Sequence, residues 1–179
     1  MPIEYEAKVL GIDPDVVEGK VLGLGGRQVA DRVMRRLVYD VVPGDGSRWI
    51  RLRDSGSEVT LTVKEIAHDG IDGTTETEVV VSSFDTTGEL LRRMGFEAKS
   101  YQENRRTSFE LYGAQLEIDR WPHIPPYLEI ESHSREHVVE VATTLGYLEH
   151  ELTGENTTKV YARYGIDLSD ISDLRFTPT

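Results

Sequence analysis

The chain has 179 residues, of which 38 % are hydrophobic and 29 % are charged, a balance that predicts one soluble domain with its own core. The net charge of -12 argues against a general nucleic-acid binder, which needs basic residues for phosphate contacts, and the absence of cysteine excludes disulfides, thiolate metal sites and cysteine nucleophiles. No apolar stretch is long enough to span a membrane, and the N-terminus lacks a basic, apolar leader. We therefore expect a cytoplasmic protein with no membrane partner.

Eight segments alternate apolar and polar residues with a period of two, which indicates half-buried β-strands. In chain order they are 3–9, 36–42, 48–53, 58–65, 75–81, 100–111, 114–121 and 127–132. Tyr112 and Gly113, between the sixth and seventh segments, predict a tight hairpin turn. This number of strands is enough to close a small barrel whose interior can hold a ligand.

Four helical patterns separate or follow the strands. Asp13 and Pro14 predict the N-cap and first residue of a helix that extends to about Leu22. The others are 83–94, 134–145 and 156–164, each followed by a glycine that ends it. Residues 166–179 show no clear pattern, so we predict a partly disordered C-terminal tail after a single domain over residues 1–165.

Charged residues recur on one face of most predicted strands, because positions i, i+2 and i+4 of a strand point the same way. Four strands carry two acidic residues on one face: Glu4 and Glu6, Glu76 and Glu78, Glu117 and Asp119, Glu129 and Glu131. Basic residues form separate groups on these faces: Lys8, Arg51, Arg53, Lys64 and Arg106. The opposite face of each strand is largely apolar.

These charged faces have two interpretations. An antiparallel sheet often has one apolar face on a core and one polar face in water, which is the simpler interpretation of any single strand. Paired like charges repel, however, and a face that only serves solubility gains by mixing signs. Clustered carboxylates suit Mg²⁺ or Mn²⁺, and arginine fits phosphate oxygens with two parallel hydrogen bonds. The separation of acids from bases therefore favours a site for a metal-chelated polyphosphate.

The ordered set of charged motifs resembles the CYTH superfamily, the triphosphate tunnel metalloenzymes. Glu4-x-Glu6-x-Lys8 is similar to the ExExK signature at the N-terminus of that family. The rest follows in the family's order over roughly residues 1–165: RxR at 51–53, LTxK at 61–64, ExE at 76–78, and the last two acidic strands at 116–119 and 127–131. The resemblance implies an α+β fold, an eight-stranded antiparallel β-barrel with a charged interior and helices packed on its outside.

The resemblance also implies a role for each charged residue. The bases would hold a triphosphate: Lys8, Arg51, Arg53, Lys64, Arg106 and, from the last helix, Lys159. The carboxylates would hold Mg²⁺ or Mn²⁺: Glu4, Glu6, Glu117, Asp119, Glu129 and Glu131, with Glu76 and Glu78 in support. Lys8, Glu129 and Glu131 would act in catalysis. The chain departs from the family at Asn104, where Lys-x-Arg is usual, and Arg105 is a candidate to compensate from the other face.

By this resemblance we expect divalent-metal-dependent hydrolysis of inorganic triphosphate or a small organic triphosphate such as thiamine triphosphate. A class IV adenylyl cyclase, which makes cyclic AMP and pyrophosphate from ATP, uses the same tunnel and is a close alternative, although the sequence shows no evident adenine site. A non-catalytic polyphosphate-binding module would keep the bases and lose some carboxylates, whereas all four acidic pairs are present. An unrelated β-sheet protein with its charges in water is a further alternative. The resemblance allows a homodimer, for which the sequence shows no interface.

Overall fold

The computed structural model describes residues 3–177. Its main strands are β1 (Ile3–Leu10), β2 (Arg27–Asp40), β3 (Arg48–Asp54), β4 (Val59–Ile66), β5 (Thr74–Val81), β6 (Ser100–Leu111), β7 (Ala114–Arg120) and β8 (Tyr127–Ser132). Antiparallel pairing runs in the order β6-β2-β3-β4-β5-β1-β8-β7, and β7 pairs back to β6. The pairing closes the sheet, so the predicted eight-stranded antiparallel barrel is confirmed.

Four helices lie outside the barrel, as predicted: α1 (Pro14–Gly23), α2 (Phe84–Arg93), α3 (Arg135–Thr144) and α4 (Thr157–Arg163). Each begins after a residue whose side chain accepts a hydrogen bond from a backbone N–H of the first turn: Asp13, Ser83, Ser134 and Asn156. Within residues 3–177 none of the helices has the length and apolar character needed to span a bilayer.

The apolar face of the barrel points outward and packs under the helices. Leu116, Ile118 and Leu128 are buried together with residues of α1 and α3 on one side. On another side, Leu52 is buried against Leu91 of α2. Burying one such side chain contributes about 1.5–3 kcal/mol, so the outer face supplies most of the driving force for folding. The opposite, charged face of each strand is left to line the interior.

Strand β2 is longer than predicted, because it begins at Arg27 and not at residue 36. The added segment pairs with β6 and contains a bulge between Gln28 and Ala30. Val29 and Val33 are exposed there, Val33 to 65 %. The segment buries no continuous apolar face, and this is why it lacks the alternation that marks the other strands.

The C-terminal segment has structure where the sequence shows no pattern. It forms a 3-10 turn at Leu168–Asp170 and a two-residue strand, β10 (Asp173–Leu174). Another two-residue strand, β9 (Leu152–Thr153), precedes α4. β10 pairs in parallel with β6, and Leu168 and Leu174 pack on Trp121 at one end of the barrel. Residues 168–170 and 173–174 thus have secondary structure where the sequence predicted none, while the last two residues of the predicted tail lie outside the described range.

Candidate functional site

The interior of the barrel contains a cavity of about 1230 Å³. Every charged residue singled out from the sequence lines it except Asp119 and Arg105: Glu4, Glu6, Lys8, Arg51, Arg53, Lys64, Glu76, Glu78, Arg106, Glu117, Glu129, Glu131 and Lys159. Closure of the sheet turns the inward face of each strand toward one axis, and this brings together residues that are far apart in the chain. The charged faces therefore form one enclosed surface.

Lys8 is the centre of a first group of ion pairs. Its Nζ lies 3.1 Å from Glu6 Oε1 and 3.2 Å from Glu129 Oε2, and Lys8 is only 2 % exposed. Glu129 Oε1 also lies 3.0 Å from Arg106 Nη2. Burial would lower the pKa of Lys8, but Glu6 and Glu129 outweigh it and raise that pKa. Burial would raise the pKa of Glu129, but Lys8 and Arg106 hold it well below its usual range, so both groups stay charged.

A second group of ion pairs connects β3, β4 and β5. Arg51 Nη2 lies 3.2 Å from Glu76 Oε1 and 3.3 Å from Glu78 Oε2. The other oxygen of Glu76 lies 2.8 Å from Lys64 Nζ, and Arg53 Nη2 lies 3.6 Å from Glu78. Lys64 and Glu76 are direct partners in the pairing of β4 with β5, so the register of the sheet places acid beside base.

Two carboxylates in the cavity are harder to ionise than usual, because the nearby bases do not fully compensate a negative charge there. Burial, followed by a hydrogen bond with Glu76, raises the pKa of Glu4 to about 8. Burial, followed by repulsion from Glu129 and Glu6, raises the pKa of Glu131 to about 7. Glu131 forms no salt bridge within residues 3–177 and lies directly opposite Glu6 in the pairing of β1 with β8. This part of the cavity favours an added cation.

The donor chemistry here fits a hard divalent cation, because Glu4, Glu6 and Glu131 offer carboxylate oxygens. Across the described part of the chain, however, no group of three or more acidic or histidine side chains is arranged to hold a metal ion by itself. Mg²⁺ usually takes one or two protein carboxylates and completes its shell with water and substrate phosphates. The carboxylates therefore suit a cation whose coordination is completed by a phosphate ligand.

Three predicted site residues lie in different surroundings from the rest. Asp119 is fully buried in the wall, and its two oxygens accept hydrogen bonds of 2.9 and 2.6 Å from Arg106, so it supports a base. Glu117 accepts a hydrogen bond of 2.5 Å from Ser108. Lys159 lies half-exposed at the edge of the cavity, where its Nζ is 2.6 Å from Asp69.

Sequence analysis missed Arg36, which projects from β2 into the cavity. Its Nη2 donates a hydrogen bond of 2.6 Å to Asn104 Oδ1, the residue that departs from the Lys-x-Arg pattern. Arg105, the suggested substitute, lies on the outside and pairs with Asp31. The alternation of β2 is the sequence signal that could have found Arg36. Arg35 precedes it with the same charge, so charge alone does not tell which of the two arginines faces the cavity.

The fold is a closed β-barrel whose interior is lined by ion-paired acidic and basic side chains. A model of the CYTH domain matches residues 2–164, and the chain therefore belongs to the CYTH family. That family contains triphosphatases and adenylyl cyclase-like enzymes that depend on divalent metals, and membership alone does not choose between the activities.

Solved structures share the fold. The PH1012 protein from Pyrococcus horikoshii aligns with a TM-score of 0.75 at 22 % identity, over 86 % of this chain and 96 % of that chain. A proposed adenylate cyclase from Vibrio parahaemolyticus aligns with a TM-score of 0.74 at 16 % identity, over 89 % and 98 %. A proposed adenylyl cyclase from Hippeastrum, described as having a dominant triphosphatase activity, gives 0.60 at 18 % identity, over 92 % and 96 %. A comparison with curated proteins finds no match.

Proposed function

We propose that the protein binds a triphosphate together with Mg²⁺ or Mn²⁺ inside the barrel and hydrolyses its terminal phosphate. The observation that carries the proposal is the meeting of bases and paired carboxylates around one cavity: Lys8, Arg51, Arg53, Lys64 and Arg106 with Glu4, Glu6, Glu129 and Glu131. A triphosphate needs both kinds of residue, because bases bind its oxygens directly and carboxylates bind them through a metal ion.

The bases are held ready for an anionic ligand. Arg51 and Arg53 each keep a buried Nε hydrogen that has no acceptor among the described residues. A buried donor without a partner is costly, and a phosphoryl oxygen would satisfy it. Guanidinium groups present parallel donors that match phosphate geometry, and their charge acts more strongly inside the barrel wall than it would in bulk water. These arginines would therefore stabilise the charge that develops on the phosphate during displacement.

The carboxylates divide into two roles. A divalent cation, when bound, neutralises phosphoryl oxygens and acts as a Lewis acid. Glu6 and Glu131 lie opposite each other, with Glu4 on the same face as Glu6, and would hold that cation. Glu129 is engaged by Lys8 and Arg106, so it orients these two bases. Glu131 has no salt bridge within residues 3–177, so one of its oxygens would bind the cation and the other would accept a proton from the attacking water.

The size of the cavity favours one further candidate function, that of an adenylyl cyclase. Ligand pockets commonly measure roughly 300–1,000 Å³, whereas this one measures about 1230 Å³. Trp49, Ile66 and Leu168 line part of it and offer an apolar surface to a nucleoside. A cyclase would direct the 3′-hydroxyl of ATP at the α-phosphorus in place of water at the terminal phosphorus.

A panel of substrates tests both functions. Inorganic triphosphate, thiamine triphosphate and ATP are each incubated with Mg²⁺, Mn²⁺ or a chelator, and phosphate, pyrophosphate and cyclic AMP are measured. Phosphate release that the chelator abolishes supports the proposal, and cyclic AMP with pyrophosphate supports the cyclase. Binding without any product would indicate the non-catalytic module. Absence of binding to all three compounds would refute a triphosphate function.

A matched pair of arginine variants connects activity to the interior of the barrel. Arg53→Gln removes an inward base of β3, whereas Arg48→Gln removes an outward one that pairs with Glu65. We expect Arg53→Gln to lower turnover by about 100-fold, the order found when one donor to a transition state is removed, and Arg48→Gln to retain activity. Equal effects of the two variants would argue against catalysis inside the barrel.

A further inference from the structure

Arg36 occupies a central place in the cavity wall. It is 7 % exposed and lies on β2, directly opposite Arg53 of β3 and Gln102 of β6. Its guanidinium carbon is 4.6 Å from the centre of the Trp121 ring, so the group stacks on an aromatic face. The side chain is thus fixed on two sides, by the indole ring and by the amide of Asn104.

The charge of Arg36 lacks a counter-ion. Within residues 3–177 no carboxylate lies within salt-bridge distance of it, whereas the other bases of the cavity each have one. Its buried Nε hydrogen has no acceptor there either. Burial and the nearby Arg51, Arg53 and Arg106 lower the pKa of Arg36, and the negative charge of Asp119 offsets this only in part. A buried cation among other cations is unfavourable unless an anion joins it.

Asn104 explains how this cation is held in place. Its Oδ1 accepts the hydrogen bond from Arg36, while its Nδ2 donates one of 2.9 Å to Asp119 Oδ1. Asp119 binds Arg106 with both oxygens, so a continuous chain of hydrogen bonds joins the two arginines. A lysine at position 104 would place its charge against Arg36. The neutral amide of Asn104 therefore allows Arg36 of β2 to supply the positive charge that a lysine at position 104 of β6 would otherwise supply.

We infer that Arg36, positioned by Asn104, binds one phosphoryl group of the triphosphate alongside Arg53 and Arg106. The inference rests on the proposed function, because it assigns a further residue to the same ligand. It commits to Arg36 as a ligand-binding residue and to Asn104 as a positioning residue, which acts only through Arg36. In the free protein the Nε of Arg36 has no acceptor and its charge has no counter-ion, and a bound phosphoryl group would supply both.

Titration with inorganic triphosphate tests the inference without relying on turnover. Both tryptophans line the cavity, so intrinsic fluorescence and calorimetry report binding directly, in Mg²⁺ and in chelator. We expect Arg36→Gln to raise the Kd about 10- to 100-fold in both conditions, because a charge-assisted hydrogen bond is lost. Asn104→Leu should raise it less, and Arg36→Lys should fall between wild type and Arg36→Gln. Arg35→Gln, on the outer face of β2, is the matched control and should bind as wild type does.

The melting temperature of the free protein separates ligand binding from a structural role. Removing an uncompensated buried charge should leave the melting temperature of Arg36→Gln unchanged or raise it. A large fall in melting temperature, or a Kd within twofold of wild type, would overturn the inference while the proposed function stands. If wild-type protein does not bind triphosphate, the proposed function fails first and the inference fails with it.

Discussion

Lys8 offers the sharpest test of how the interior is held together. It is completely enclosed between Glu6 and Glu129, and Lys8→Met removes its charge while keeping most of its volume. Breaking a buried ion pair by removing one partner costs about 3–5 kcal/mol. Glu129 keeps Arg106 at 3.0 Å, which reduces the loss, so we expect a fall in unfolding free energy of about 2–3 kcal/mol. For a domain of this size, such a loss lowers the melting temperature by roughly 5–10 °C.

Urea unfolding of the free protein measures this change. Lys99→Met is the matched control, because Lys99 is half-exposed, pairs with Asp40 and should contribute at most about 1 kcal/mol. The double variant Lys8→Met with Glu6→Gln should regain part of the loss, since it removes one of the two stranded carboxylates. A loss below about 1 kcal/mol in Lys8→Met would refute the reasoning, and would mean that water or protons already compensate the carboxylates.

Three further predictions address the end of the barrel, the metal and the loop before β5. Leu174→Ala should lower the unfolding free energy by about 2–5 kcal/mol in urea, because Leu174 is fully buried on the end of the barrel, and a change near zero would contradict that packing. Mg²⁺ with triphosphate should raise the melting temperature more at pH 8 than at pH 5. The pKa values of Glu4 and Glu131 are raised, so at pH 5 protons occupy these carboxylates and compete with the metal. An equal shift at both pH values would count against these ligands. Gly73→Ala should destabilise the fold, since its Cβ would lie 1.9 Å from the carbonyl oxygen of His68, and an unchanged melting temperature would contradict this close approach.

The sequence was sufficient to predict which residues share a face. In β1 and β8 charged and apolar residues alternate over residues 3–9 and 128–131, because the backbone of a strand turns successive side chains to opposite sides. Strand bounds followed for the same reason, and the predicted bounds of β6 and β8 agree with the structure residue for residue. The helices were predicted from the N-cap Asp13 and from the glycines that end the other three, signals that act within a few residues of the chain.

Arg36 shows why the site was predicted only in part. Arg35 and Arg36 are adjacent and equally charged, and the alternation of β2 is the one local signal that distinguishes them. Arg35 turns outward to Asp54 and the ring of Phe84, while Arg36 turns inward to Asn104. None of these partners is near in sequence, so the surroundings of each arginine depend on pairing between distant strands.

The C-terminal segment shows the same limit for the fold. Leu168 and Leu174 have no periodic apolar neighbours, so no local pattern marks them as buried. They are buried because the open end of the barrel presents Trp121, Val160 and Tyr161 to them. The structure of this segment is therefore a consequence of a surface that exists only after the barrel has closed.

By itself, the sequence determined the eight barrel strands apart from the first part of β2, the four helices and the charged face of each barrel strand, because these follow from backbone geometry over a few residues. Only the tertiary structure decided that the charged face is enclosed, since an open sheet with the same alternation would leave it in water. Closure also decided which acid pairs with which base, why Asp119 supports Arg106, and that Arg36 lacks a counter-ion. These outcomes depend on strand register around the whole barrel, a long-range property that period-two patterning does not contain.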